Sequence, residues 1–359
     1  MKYKERYLVL ADGSIYRGYA FGADSETVGE VVFTTANVGY PESLTDPSYR
    51  GQILVFTSPL IGNYGVSQDQ WESDSIQVNG VVIFDLTKPS HYKSVMSLDE
   101  WLKSQGVPGI FRVDTRALTL RLREQGVVMG AIVDDPERGV DMINKSPPYD
   151  SINFIKHVSP QSPITYEGED PCIGIIDCGV KLGIVRELVS RGVEVIRYPC
   201  LMWRRALDEC DGVLISNGPG NPMLLTELME MVDDIVKDRK PTLGICLGHQ
   251  VLALGMGARL FKMKYGHRAI NKPVVDLIRD RVYVTTHNHG YAVDPSTLSG
   301  TGLKVWAIQP DDGTVEGLYH ERLPILTTQF HPEARPGPVD TRWVFDRFIS
   351  VVKGESSWM

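Results

Sequence analysis

The chain has 359 residues and a formal net charge of −8. That is long enough for two domains with their own cores, and it lacks the basic excess that nucleic-acid or anionic-membrane binding calls for. No apolar run approaches the ~18 residues of a membrane span. The opening Met1-Lys2-Tyr3-Lys4-Glu5-Arg6 has no signal-peptide core, so a cytoplasmic location is expected.

Residues 7–11 and 14–19 read as strands around Asp12-Gly13, a hairpin signal. Further strands are expected at 29–35, 52–57 and 80–86. A helix should start at the capping box Ser97-Leu98-Asp99-Glu100 and stop near Gly106. A second is expected over 115–125, ending at Gly126, before a strand at 127–133. Residues 1–143 thus form a mixed α/β domain whose architecture the pattern does not name. Residues 144–170, with prolines at 147, 148, 160 and 163, read as an extended linker, since proline removes backbone donors and disfavours helix before it.

From 171 to 359 the grammar is α/β. Strands at 172–177, 193–198, 212–216 and 242–246 alternate with helical patterns near 181–191, 202–209 and 223–238. Such alternation predicts a mainly parallel sheet flanked by helices, with function at the carboxyl ends of its strands. Strands then follow at about 258–263, 273–278, 282–286, 303–309, 314–319 and 325–330, and a helix over 339–352 closes the chain.

Gly244-Ile245-Cys246-Leu247-Gly248 sits where a strand turns into a helix. It is the sulfur counterpart of the G-x-S-x-G elbow, whose small flanking residues let the chain bend and expose the nucleophile. A helix N-terminus beside a sulfur favours thiolate, the reactive form. The other cysteines, at 172, 178, 200 and 210, form no C-x-x-C pair. Reduced thiols are expected rather than a zinc ribbon or a redox dithiol.

A thiolate needs a proton shuttle. His331 ends an apolar strand and is followed by Pro332-Glu333. Residues i and i+2 of an extended segment point the same way, so Glu333 can orient the imidazole of His331. His249 is assigned a packing role beneath the elbow. His287-Asn288-His289 brings two histidines but no third ligand at convincing spacing, so no metal is expected. The N–H of Leu247 and the Gly218-Pro219-Gly220 loop are candidate oxyanion donors. Gln250 lies one helical turn beyond Cys246. As patterns alone, the glycine loop is equally a plain turn and Gln250 equally a surface cap.

These segments resemble a known family. Residues 241–252, 216–222, 287–294 and 329–337 are similar to the class I, triad-type glutamine amidotransferase domain. Residues 35–49 (Thr-Ala-Asn-Val-Gly-Tyr-Pro-Glu-Ser-Leu-Thr-Asp-Pro-Ser-Tyr) and Ile61-Gly62-Asn63-Tyr64-Gly65 resemble the N-terminal domain of carbamoyl phosphate synthetase small subunits. Val180-Lys181 and Tyr265-Gly266-His267-Arg268 share that likeness. The resemblance implies that Cys246 attacks the side-chain amide of L-glutamine, that His331 shuttles the proton and that Glu333 orients it. It implies that Gly218 and Leu247 hold the oxyanion, and that Gly220, Gln250, Asn288, Gly290 and Tyr291 line the glutamine pocket. Ser48 would meet the substrate's amino-acid end. Tyr291 stands where many relatives have phenylalanine, so only its backbone contact carries over. Arg335 replaces an expected small residue.

The family makes carbamoyl phosphate with ATP, yet no G-x-x-x-x-G-K-[ST] loop is present. The resemblance therefore implies a large partner subunit with ATP-grasp domains, fed with ammonia through a tunnel and docked largely on the N-terminal domain. ATP, magnesium and potassium would belong to that partner, with no cofactor on this chain. Beyond this reading stand an amidotransferase of another synthetase, which residues 1–143 speak against, a scaffold with a dead site, and a hydrolase of another amide or ester.

Overall fold

The computed structural model describes residues 3–358, and the chain divides into two units between Ile152 and Asn153. The first contains β1 (Glu5–Leu10), β2 (Ile15–Gly22), β3 (Thr27–Thr34), α1 (Tyr40–Thr45), β4 (Gln52–Phe56), β5 (Gly80–Val82), α2 (Leu98–Ser104), β6 (Pro108–Phe111), α3 (Thr115–Gln125), β7 (Val128–Val133) and α4 (Gly139–Lys145). Its strands close a barrel in the order β1-β2-β6-β5-β4-β3-β7, with β7 returning to pair with β1. The β3–β4, β4–β5 and β5–β6 pairs are parallel and the rest antiparallel.

Both faces of the central strands are covered, so their sequences read as unbroken apolar runs. Val32, Leu54 and Val81 pack with Leu98, Trp101 and Leu102 of α2, while the alternating Val31, Ile53 and Val82 are equally sealed. The expected hairpin at Asp12-Gly13 is present, with Gly13 at φ 83°. The strand β6 and the helices α1 and α4 had not been foreseen. Each is short, and α1 starts from a left-handed Gly39 with no side-chain cap.

The capping box of α2 is complete: the Ser97 Oγ accepts from the Glu100 N–H, and the Ser97 N–H donates to the Glu100 carboxylate at 2.8 Å. Ser97→Ala is expected to cost about 1 kcal/mol, read as a lowered urea midpoint for the N-terminal unit.

The second unit contains β8 (Ile164–Tyr166), β9 (Glu169–Asp177), α5 (Leu182–Val189), β10 (Val193–Pro199), α6 (Trp203–Glu209), β11 (Gly212–Ile215), α7 (Met229–Asp238), β12 (Thr242–Ile245), α8 (Leu247–Gly255), β13 (Leu260–Asp276), β14 (Arg281–Val293), β15 (Leu303–Ile308), β16 (Val315–His320), β17 (Ile325–Thr328) and α9 (Trp343–Val352). One ten-stranded sheet runs β14-β13-β15-β16-β17-β12-β11-β9-β10-β8. From β17 to β10 it is parallel; the long flank from β16 to β14 and the edge strand β8 are antiparallel.

Alternation along the parallel strands sorts their side chains between two cores. Ile173, Ile175, Leu214, Leu243 and Ile245 pack with α5 and α9. Ile176, Val213 and Ile215 pack with α6, α7 and α8. The helices therefore lie on both faces, as the alternating pattern required.

Two expectations need correction. Residues 144–170 are not an extended linker. They include the end of α4, short 3-10 turns at Tyr149–Ser151 and Ile155–His157, and β8, which pairs with β10. Proline there shapes turns, while the buried Phe154 and Ile155 anchor the segment. The separate strands expected at 258–263 and 273–278 are parts of the single β13, whose pairing with β14 is interrupted between Lys262 and His267 and between Ala269 and Lys272. Irregular register breaks the side-chain period that marks one strand.

All five cysteines are free, with Cys172 Sγ 3.0 Å from Cys210 Sγ and Cys178 Sγ 3.3 Å from Cys200 Sγ. No helix among the described residues is long and apolar enough to cross a membrane.

Candidate active site

Four neighbouring parallel strands deliver the candidate residues at their carboxyl ends. Lys181 follows β9, Ser216–Gly220 follow β11, Cys246 follows β12, and His331 and Glu333 follow β17.

Cys246 occupies φ 52°, ψ −98°, a strained conformation for a residue with a Cβ. It is the N-cap of α8, so the sulfur stands at the helix N-terminus. The tightness of the bend explains its glycines. A Cβ on Gly248 would lie 2.1 Å from the Ile215 carbonyl oxygen, and one on Gly244 only 2.7 Å from a Leu252 methyl. A backbone bond from Cys246 N–H to the Thr328 carbonyl, 2.7 Å, fixes the bend against the end of β17. The thiol points at the Asn288 carbonyl oxygen, 3.7 Å away.

His331 and Glu333 meet as expected: Nδ1 of His331 is 2.7 Å from Oε1 of Glu333. A carboxylate partner makes Nδ1 the protonated nitrogen. Nε2 is buried without a conventional hydrogen-bond partner, and the Cys246 thiol lies close enough to affect its proton affinity. The strand end is held by the His331 N–H, which donates to the Thr286 carbonyl at 2.9 Å.

The sequence reading gave no role to Lys181, a 2% exposed lysine. Its ammonium donates to Glu333 Oε1 at 3.0 Å and to the Ala334 carbonyl at 2.6 Å. The Lys181 N–H donates to Asn217 Oδ1 at 3.0 Å, tying the loop after β9 to the loop after β11. One signal was available: Lys181 is the only Lys or Arg among residues 172–185, and a lone cation in an apolar run needs a buried anion.

Charge is distributed accordingly. Burial opposes a charged His331, but the Glu333 carboxylate bonded to Nδ1, together with the nearby Cys246 sulfur, prevails and raises its pKa from 6.5 to about 10. Burial would raise the pKa of Glu333; the charges of Lys181 and His331 outweigh it and hold it down at about 2. Folded His331 grips its proton more tightly than the unfolded chain does. Its contribution to stability is complete below pH 6.5 and fades as pH rises towards about 10. The Glu333 share is complete above 4.5 and fades as pH falls towards about 2.

Glu333→Gln should therefore cost about 3–5 kcal/mol, the usual penalty for leaving a buried charge without its partner. The penalty should be largest between pH 4.5 and 6.5 and shrink at alkaline pH as the wild type loses the His331 proton. Paired urea titrations of wild type and variant at mildly acidic and alkaline pH check this. A gap that widens on the alkaline side would contradict it.

The remaining expected residues fall as follows. Gly218 abuts the elbow: a Cβ there would lie 2.7 Å from a Leu247 methyl and 2.2 Å from the Cys178 carbonyl oxygen. Gly220, at φ 89°, lies in the same loop. The Leu247 N–H belongs to the first turn of α8, where donors have no intrahelical acceptor. Gln250 is buried, and its amide donates to the Tyr291 carbonyl at 3.0 Å and to Gln329 Oε1 at 2.9 Å. The first braces the β14 segment that carries Asn288, Gly290 and Tyr291, and the second ties α8 to the end of β17. His249 packs under the elbow as expected, with Nδ1 2.7 Å from Thr327 Oγ1. Ser48 belongs to the N-terminal unit, buried in the turn Pro47–Tyr49, its N–H bonded to Asp46 Oδ1 at 2.9 Å. Ala334 and Arg335, just past Glu333, both have positive φ, 59° and 50°.

Residues 8–132 match the family described as carbamoyl-phosphate synthase small chain, CPSase domain, and residues 174–351 match glutamine amidotransferase class-I. The carbamoyl phosphate synthase small chain of Pyrobaculum aerophilum is 60% identical over 346 residues, covering 96% of this chain and 99% of that one. Those of Pyrococcus furiosus and Saccharolobus solfataricus are 51% and 47% identical, each covering 98% of this chain and 99% of the relative. The chain belongs to the carbamoyl phosphate synthase small-chain family. Both halves of the sequence resemblance are thereby accounted for, each by its own unit of the fold.

Proposed function

We infer that the chain is the glutamine-hydrolysing subunit of a carbamoyl phosphate synthase, releasing ammonia for an ATP-dependent large partner. The observation that carries the reading is Cys246, strained at the bend beside His331, in a chain of this family.

In the proposed reaction, the Cys246 thiol passes its proton to Nε2 of His331 and the sulfur attacks the side-chain amide carbon of glutamine. In this reading the developing oxyanion is met by the Leu247 N–H and the Gly218 backbone, since donors aimed at developing charge stabilise the transition state. His331, held protonated by Glu333, gives its Nε2 proton to the leaving nitrogen. The carbon–nitrogen bond breaks, ammonia departs and a glutamyl thioester remains. His331, now neutral, takes a proton from water as that water attacks the thioester, and glutamate leaves. Lys181 keeps Glu333 ionised throughout, so the imidazole keeps its orientation. In this reading Gly220, Gln250, Asn288, Gly290 and Tyr291 line the glutamine pocket. The amide chemistry needs no cofactor on this chain, and ATP, magnesium and potassium belong to the partner.

The test is a coupled assay on the chain reconstituted with its large partner. Glutamate should appear in step with carbamoyl phosphate, and the two proteins should co-elute. A complex that makes carbamoyl phosphate from free ammonia but never from glutamine would overturn the reading.

A further inference from the structure

A second cluster of buried chemistry lies on the antiparallel flank. His267 on β13, His287 and His289 on β14, and Glu316 on β16 each turn one ligand-type atom inward, and these atoms all lie within 4.8 Å of one another. Four contacts within the cluster, three of them to Glu316 and made with both its oxygens, are of similar length. His287 Nδ1 is 3.4 Å from His289 Nε2 and 3.5 Å from Glu316 Oε2. Glu316 Oε1 is 3.6 Å from His267 Nδ1 and 3.7 Å from His289 Nε2. A tetrahedral zinc ion with ligands at its usual bond lengths has ligand–ligand edges of about 3.4 Å.

The hydrogen bonds on the outer side of each ring fix what faces inward. His267 Nε2 lies 2.9 Å from the Asp312 carboxylate, so it carries the proton and Nδ1 presents a lone pair. His289 Nδ1 lies 3.0 Å from the Tyr291 carbonyl, which can only accept, so Nε2 presents a lone pair. Thr285 Oγ1 lies 3.1 Å from the Lys272 carbonyl and 2.7 Å from His287 Nε2; with its own proton on that carbonyl it accepts from Nε2, and Nδ1 of the ring then presents a lone pair. Three imidazole lone pairs and a carboxylate thus converge. His267 Nδ1 and Glu316 Oε2 are both buried and without hydrogen-bond partners. Such a convergence is repulsive unless a cation or a proton sits in it, and imidazole rings oriented by carboxylate, carbonyl and hydroxyl are the usual outer support of a metal site.

We propose that His267, His287, His289 and Glu316 hold one divalent transition-metal ion, zinc by their donor set and spacing, in a closed structural site. Four protein ligands leave no open position, so the ion clamps the fold and does not activate water. The clamp ties the β13–β14 hairpin to β16. Between and just beyond two of its ligands, β14 carries Asn288, Gly290 and Tyr291, so the ion stiffens the strand beside Cys246. Spacing along the sequence showed only His287 and His289; the other two ligands come from separate strands. The competing way to relieve the repulsion is a proton on Glu316, whose pKa burial pushes up to about 7.

The experiment uses the full-length chain, expressed with added zinc and purified without chelator. Elemental analysis should find one zinc per chain after dialysis. Cobalt, supplied instead of zinc, should give the intense visible bands of a tetrahedral ion. Stripping wild type with a strong chelator should lower its melting temperature, and zinc should restore it. Glu316→Gln and His287→Gln should lose the bound metal and the cobalt bands. Folded wild type that carries no zinc and gives no tetrahedral cobalt spectrum when refolded with the ion would overturn the proposal in favour of the proton. Full metal retention in Glu316→Gln would overturn it too. The wild-type measurements stand even if a variant fails to fold.

Discussion

Cys246→Ser should lower glutamine hydrolysis by about 10⁴-fold or more, because a hydroxyl in place of the sulfur removes the nucleophile on which the other groups act as a unit. The side chains are nearly isosteric, and the Cys246 N–H bond to the Thr328 carbonyl does not involve the sulfur. The variant should fold with its melting temperature little changed. Reconstituted with the large partner, it should still make carbamoyl phosphate from free ammonia at close to the wild-type rate. The measurement is glutamate release alongside ammonia-dependent synthesis on one preparation. Survival of glutaminase would remove Cys246 from the reaction. Loss of both activities together would point to collapse of the complex and not of the chemistry.

Gly248→Ala should be the most damaging single-methyl change at the elbow. The added carbon would meet the Ile215 carbonyl oxygen at 2.1 Å and the Ile215 carbonyl carbon at 2.8 Å, both main-chain atoms of the central β11. A flexible side chain could swing aside; a strand in mid-sheet cannot. The bond from the Gly248 N–H to the Ser216 carbonyl, 3.1 Å, would stretch as well. The expected cost is about 3 kcal/mol or more, a drop of roughly 6–12 °C in the melting temperature for a unit of this size. Glutamine turnover should fall with it, since the helix N-terminus would move off the sulfur. Gly257→Ala is the control. A Cβ there meets nothing within 4 Å, and only its φ of 95° is unfavourable, so about 1–2 kcal/mol is expected. Equal penalties in the two variants would refute the steric account.

The parallel half of the second unit was legible because its strands are short, apolar and separated by helices with their own period. Cys246, His331 and Glu333 were legible for a related reason: each lies at the end of such a strand, where a local motif suffices. The first unit resisted because both faces of its central strands are buried. Val31 and Val32, or Leu54 and Val55, leave no two-residue alternation to reveal a barrel. The segment 144–170 was misread because proline content says where helices stop, not whether the chain is anchored. Lys181 and the partners of His287 were illegible for a third reason. Their contacts join strands remote in sequence: a local window shows a lone lysine or a pair of histidines, and not the groups they meet.

The contact between Lys181 and Glu333 spans 152 residues, and this separation has a consequence for biosynthesis. Until β17 and the residues after it have left the ribosome, the thiol at 246 has neither its imidazole nor the anchored carboxylate. The nascent chain therefore has no means of turning over glutamine. Competence arrives late and all at once, when the last parallel strand slots in beside β12. A growing polypeptide built this way releases no stray ammonia before the subunit is finished.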